Sequence, residues 1–378
     1  QIFNNLSWVR GNHSFKFGGE IGNRRYNVIG NQFPRGLLQF NSRATALPSN
    51  IAGTGDRFAS GLLGWMDEAT RALGLPNVQL RQTAVHVYAE DTWKITQKLT
   101  MNIGLRYENT PPWADRYRGM MNVQFFCPGV DETGIDEDCQ TPVMVRPGEG
   151  DFYEDLNVRF ADNIPIAAGD DVLFNHALVK RDDNDFAPRL GIAYQLNNKT
   201  SIRTGYGLFY TQDTTNPTFD RARNFGFRES ARGLEVRQTV NLDNPFTSSG
   251  ASGLQCTNWD GVCVARLYTF AGDSTRKTPY VQQFMFNVQH QLDESTLIKA
   301  GYSGNLGRNL ERMYGYNTPL DRANGQDRTT RLQRIPWADE YGRIQTINPV
   351  VSSNYNALAL KFQKRFTQGF TYLVGYTW

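Results

Sequence analysis

From Leu99 to Tyr107 every second residue is apolar: Leu99, Met101, Ile103, Leu105 and Tyr107 alternate with Thr100, Asn102, Gly104 and Arg106. A strand turns such sets to opposite faces, so this segment has one apolar face and one polar or small face. The same period recurs at Leu190–Leu196, Ile202–Tyr210 and Phe370–Trp378. Less regular versions occupy Phe15–Ile21, Thr83–Trp93, Phe284–Leu292 and Leu358–Phe366. Helical periodicity is scarce, and the pattern predicts an all-β protein.

The predicted strands pair across very short polar turns: Gly11-Asn12, Thr96-Gln97-Lys98, Asn197-Asn198-Lys199, Asp293-Glu294-Ser295 and Thr367-Gln368-Gly369. Each has the chemistry of a tight hairpin loop, which gives about five hairpins and about ten strands. The stretches Asn23–Leu80, Asn109–Asp185, Gln212–Pro279 and Glu311–Ser353 are instead long, polar and rich in Pro, Gly, Asn, Asp and Arg. Short turn and long loop thus alternate along the chain. An antiparallel transmembrane β-barrel has this rhythm, with short periplasmic turns and long extracellular loops. Strands of roughly 9–11 residues suffice for a tilted crossing of the bilayer. Trp93, Tyr107, Tyr194, Tyr210 and Trp378, near strand ends, fit interfacial aromatic girdles. A soluble β-sandwich shows alternation too and stays open on pattern alone.

Composition refines this picture. The 378 residues are 39% hydrophobic and 12% aromatic, with 35 Gly. The mean hydropathy is -0.52. No stretch approaches the roughly 18 apolar residues of a spanning helix, which excludes helical spans and leaves strand crossings open. A net charge of +3 gives no support to nucleic-acid binding. Four cysteines in so long a chain do not make a disulfide scaffold. The chain starts at Gln1 without a Met or a signal sequence and stops within the strand ending at Trp378. It therefore reads as a piece of a longer protein.

Particular strings carry a family resemblance. The segment from Tyr88-Ala89-Glu90-Asp91-Thr92-Trp93-Lys94 through Leu99-Thr100-Met101-Asn102-Ile103-Gly104-Leu105-Arg106-Tyr107-Glu108 resembles the aromatic-rich hairpin of TonB-dependent outer-membrane receptors. Ala187-Pro188-Arg189-Leu190-Gly191, Arg203-Thr204-Gly205-Tyr206-Gly207-Leu208-Phe209-Tyr210 and Thr278-Pro279-Tyr280-Val281-Gln282-Gln283-Phe284 are similar to the Oar-like subgroup. So are Gly301-Tyr302-Ser303-Gly304-Asn305-Leu306-Gly307, Ser353-Asn354-Tyr355-Asn356-Ala357-Leu358 and the closing Tyr376-Thr377-Trp378.

The resemblance covers nearly the whole chain and implies a 22-stranded plugged barrel. Residues 1–378 would be an incomplete part of it, with no plug and no TonB box. It further implies active uptake of a nutrient ligand across the bacterial outer membrane. The partners are then outer-membrane lipid and lipopolysaccharide, the unknown nutrient, and the TonB complex through the missing N-terminal region. A passive porin-like or surface-exposed outer-membrane protein is the first alternative. A soluble β-rich carbohydrate-binding or adhesive module is the second.

Enzyme chemistry finds little purchase. The histidines, His13, His86, His176 and His290, show no H-E-x-x-H spacing, and no Cys-x-x-Cys is present. No catalytic residue, cofactor or metal is expected. Cys127 with Cys139 and Cys256 with Cys263 are close pairs in two long loops. At an oxidising cell surface they predict two local disulfides. The acidic clusters Asp131, Glu132, Asp136, Glu137, Asp138 and Asp182, Asp183, Asp185 lack EF-hand spacing and are expected to be solvated loop surface.

Arginines gather in two loops: Arg221, Arg223, Arg228, Arg232 and Arg237, then Arg308, Arg312, Arg322, Arg328, Arg331 and Arg334. They could form a basic mouth for an anionic ligand or lipopolysaccharide phosphates, or be neutralised by nearby acids. Arg106, Arg203 and Lys299 differ, because strand parity points them to the lumen, where in an intact receptor they would meet the plug or the substrate path, plug packing being the expectation. A charge facing lipid at mid-membrane would cost roughly 2–4 kcal/mol.

Overall fold

The structure is a computed structural model. It describes residues 1–29, 33, 35–50, 52–72, 77–125, 141–156, 158–169, 174–211, 216–224, 228–232, 241–243, 245, 262–264, 267–272, 276–315, 317, 341–367 and 369–378.

Ten long strands form the wall. They are β1 (Ile2–Arg10), β2 (His13–Ile29), β3 (Asn77–Lys94), β4 (Leu99–Asn109) and β5 (Phe186–Asn197). There follow β6 (Thr200–Tyr210), β7 (Tyr280–Gln291), β8 (Thr296–Gly315), β9 (Tyr341–Thr367) and β10 (Phe370–Thr377). Each pairs antiparallel with the next, so neighbours in sequence are neighbours in the sheet. Among the described residues the sheet runs open from β1 to β10 and is not closed on itself.

The five hairpins turn where the sequence places them. Gly11 and Gly369 take φ of 57° and 86°, a left-handed conformation that glycine adopts without steric cost. Asp293 caps its own turn, its Oδ1 accepting from the backbone N–H and the hydroxyl of Ser295, both at 2.8 Å. These hydrogen bonds hold its carboxyl down at about 2.

Directly opposed residues share a face, so the register sorts the whole wall. One face carries rows such as Ile103, Leu190, Tyr206 and Phe284, then Ile192, Thr204, Phe286, Tyr302 and Leu358. A further row is Tyr194, Ile202, Val288, Ala300, Leu360 and Tyr376. Many of these side chains are exposed, which an apolar solvent requires and water would penalise. Polar tips on this face find partners: Tyr302 donates to Asn356 Oδ1 at 2.8 Å, and Thr204 to the Met285 carbonyl at 2.9 Å.

The predicted loops are not all loop. The β2–β3 ladder continues from the Ile21–Val85 pair to Ile29–Asn77, and β8–β9 pairing reaches Gly315–Gln345. Polar Asn23, Arg24, Arg25, Arg81, Gln82 and Thr83 occupy both faces where the first extension begins, which interrupts the two-residue hydropathy signal while the backbone ladder persists. Cross-strand side chains reinforce it: Asn23 to Thr83 at 3.2 Å, Arg24 to Gln82 at 3.1 Å and Arg81 to Asn27 at 2.8 Å.

At this long-loop end lies a folded cap. Its centre is a three-stranded sheet of Asn122–Phe125, Pro142–Arg146 and Ile166–Ala168. One apolar core joins Met121, Val123, Met144, Phe152, Phe160 and Ile164 to Tyr341 and Ile344 of β9. Another joins Trp113, Met120, Val143, Val145 and Leu178 to Val78 and Leu80 of β3. Leu80 shares its face with His86, Tyr88 and Glu90, so the cap sits on the polar side of the wall.

Candidate functional site

The face opposite the apolar rows is the candidate site. Its rows include Glu90, Gly104, Arg189, Gly207, Gln283, Asn305 and Tyr355. Beyond the row Gly191, Gly205, Met285, Ser303, Ala357 come Ala193, Arg203, Asn287, Gly301, Ala359 and then Gln195, Ser201, Gln289, Lys299, Lys361. Glycines let the larger side chains lie flat here: the Tyr88 ring covers Gly18 and donates to Asn5 Oδ1 at 2.9 Å. Such a surface of amides, hydroxyls and charges suits contact with water.

Arg106, Arg203 and Lys299 all lie on this face, but they do not gather into one constellation. Arg106 is held by Glu108 at 2.6 Å. Arg203 is exposed on β6, level with Asn287, and Lys299 stands opposite Lys361 two strands away. His86 was not singled out by the sequence as a site residue. It is buried between Glu20 and Glu108 in the register, with neither ring nitrogen hydrogen-bonded.

The cap is tied down where loops enter the wall. Asp182 Oδ2 accepts from the Thr278 N–H at 2.9 Å, and Asp183 Oδ1 from Asn109 Nδ2 at 2.6 Å and from Arg181. Asp185 is buried, and its carbonyl accepts from the Glu108 N–H at 2.9 Å. Burial, with Asp182 and Glu108 nearby, pushes the Asp185 carboxyl up to about 6 against the opposing hydrogen bond of Thr278. This trio forms a junction between β4 and the start of β7, where solvated loop surface was expected. Asp131 to Asp138 lie outside the described residues.

A wall with one apolar and one polar face, turned by short hairpins at one end and capped at the other, is the architecture of a membrane barrel. The family comparison decides it: the family model described as "Outer membrane beta barrel domain" matches residues 1–378. The chain belongs to that family. It is a protein of the bacterial outer membrane.

No curated protein matches this outer-membrane barrel chain. Among solved structures it is similar to the outer-membrane transporter YddB of Escherichia coli, at 11% identity and a TM-score of 0.43, covering 95% of this chain and 29% of that one. It is also similar to the FrpB iron transporter of Neisseria meningitidis, at 11% identity and 0.38, covering 99% and 34%. A third is the ferric enterobactin receptor PfeA of Pseudomonas aeruginosa, a variant in complex with enterobactin, at 9% identity and 0.41, covering 98% and 35%. The chain thus spans about a third of the length of these structures.

Within the barrel's cap, two arginines of the first cluster are already engaged. Arg221 is buried, donating to the Ala177 carbonyl at 2.7 Å and Thr218 Oγ1 at 2.9 Å. Arg223 pairs with Asp220 and lies 4.8 Å from the Phe219 ring centre. Arg228 and Arg232 lie on the short strand Arg228–Arg232, which pairs with Glu68–Ala72. Arg237 lies outside the described residues. In the second group Arg308 reaches Asn354 Oδ1 at 3.1 Å, and Arg312 lies on β8. Arg322, Arg328, Arg331 and Arg334 lie outside.

Cys127, Cys139 and Cys256 also lie outside the described residues, so neither predicted disulfide falls within them. Cys263 is on the short strand Val262–Val264. Arg146, which the sequence did not flag, braces the cap. It donates to the Arg118, Phe152 and Glu154 carbonyls at 2.8, 2.7 and 2.6 Å. Burial, with Arg118 adding to it, lowers its guanidinium to about 10. Among the described residues no group of three His, Cys, Asp or Glu is placed to hold a metal ion.

Proposed function

We propose that the chain is part of the barrel of a TonB-dependent receptor of the Oar-like kind, which takes up a nutrient ligand across the outer membrane. The TonB complex would act through a region outside these residues, and lipid and lipopolysaccharide would surround the apolar face. The observation that carries the reading is the polar wall lying beneath a folded loop cap. A cap with its own packed cores can offer a shaped receptor surface, whereas a wide passive pore gains nothing from one. The ordered strings that resemble this receptor family support it as well. We assign the chain no catalytic step, and we keep the two disulfides, Cys127–Cys139 and Cys256–Cys263, as part of the proposal.

The test is labelled-nutrient uptake by the source bacterium, with the gene for the full-length protein deleted and restored. Uptake should require the gene and collapse when TonB is deleted or the proton gradient is discharged. Gene-dependent uptake that survives both treatments would instead make the protein a passive porin.

A further inference from the structure

The two halves of the polar face differ in charge balance. On β1 to β4 both signs occur, with Lys16 opposite Glu90 and Arg106 paired to Glu108. From β5 to β10 the strands contain a single carboxylate, Glu311, at the loop end of β8 and 3.6 Å from Arg276. The polar face of these strands carries Arg189, Arg203, Lys299 and Lys361. Arg189 lies over the Phe209 ring at 4.8 Å. Lys299 directly faces Lys361 across the β8–β9 ladder, and like charges so placed destabilise a sheet.

Beside that pair, at the short-turn end, a groove of about 370 Å³ crosses β4 to β7. Lys98, Lys199 and Arg203 line it with Gln195, Gln289 and Gln291, and among the described residues no carboxylate does. The row Gln195, Ser201, Gln289, Lys299, Lys361 leads from the groove to the lysine pair.

We propose that the groove and the adjoining lysine pair form an oxyanion-binding site for small phosphate- or carboxylate-bearing solutes in the lumen. The guanidinium and ammonium groups supply charge-assisted donors, and the amides and hydroxyls add neutral ones. Cations on a low-dielectric wall also raise the local anion concentration. An anion between Lys299 and Lys361 offsets their repulsion, so binding should stabilise the ladder. The proposal rests on the polar face lining the lumen and, if the proposed function holds, on the groove staying open to solutes beside the plug.

The test is calorimetric titration of the full-length protein in detergent micelles with sodium pyrophosphate and, separately, citrate, at ionic strength fixed with sodium chloride. Both should bind, and the pyrophosphate Kd should rise at least about tenfold in R203Q and in the Lys299→Gln, Lys361→Gln double variant, as loss of charge-assisted contacts predicts. R203K, which keeps the charge, should bind far more tightly than R203Q. Pyrophosphate should raise the unfolding midpoint of the wild type and not that of the double lysine variant, whose native far-UV spectrum is checked first. Equal affinity in wild type and variants would overturn the proposal, as would the same heat from chloride alone. Binding of a hexaglutamate peptide without binding of pyrophosphate would overturn it too, by assigning the groove to a protein segment.

Discussion

Leu80 and Leu105 are leucines on adjacent wall strands, and they satisfy opposite demands. Leu80, on β3, is fully buried beside Trp113, Met120 and Leu178, in a core like that of any water-soluble domain. Leu105, on β4, is 50% exposed in a row with Ala89 and Pro188. The cap excludes water by packing its side chains on one another. The wall keeps its polar groups on one face and leaves the other for lipid to cover. Exposure alone therefore says little here; what matters is the solvent that each exposed side chain meets.

The largest expected effect sharpens the cap side of this contrast. Tyr341 is fully buried, and its hydroxyl donates to the Pro142 carbonyl at 3.2 Å. Tyr341→Ala should cost the cap about 3–5 kcal/mol, as for other large aromatic truncations. Hydrogen exchange should then quicken in residues 141–168 while β4 to β7 stay protected. Equal loss of protection in both regions would mean that they unfold as one unit.

Leucine-to-arginine changes test the solvent difference directly. Leu47, in the segment between β2 and β3, is 59% exposed, close to the value for Leu105. Leu105→Arg should destabilise the folded wall by roughly 2–4 kcal/mol in lipid vesicles. Leu47→Arg should stay within about 0.5 kcal/mol, as surface substitutions in water do. Denaturant titrations that gave the two variants the same loss would remove the distinction.

The smallest effect lies at the junction between the regions. Asp185 has its carboxyl raised to about 6 in the fold from an ordinary 3.8, so the folded state holds this proton more tightly than the unfolded one. Its charge penalises the junction fully above about 6, and that penalty fades as pH falls toward 3.8. The amides of Glu108 and Thr278 should gain protection between pH 7 and pH 5, after correction for intrinsic exchange. Asp185→Asn should abolish the change, and a pH response that persists in that variant would assign it to another group.

The wall was legible residue by residue. Leu99 to Tyr107 and Ile202 to Tyr210 show their two faces in the bare sequence, because a strand has a period of two and each face meets one solvent. The five turns were legible as well, from Gly, Asn and Asp chemistry that acts within a few residues. The cap was not. Tyr341 meets Pro142 across 199 positions, and Asn122 reaches the Gly272 carbonyl across 150. Arg221 looked like part of a basic mouth, since only its folded surroundings show that it is buried and donates to Ala177 and Thr218.

The sequence by itself thus determined the strand order, the turns and which residues face lipid, since each follows from local geometry and one partitioning rule. Tertiary structure alone decided where the long loops pack, how far β2, β3, β8 and β9 extend, and which charges are paired. Those outcomes rest on contacts between distant segments, where burial and hydrogen bonding leave no periodic mark on the chain.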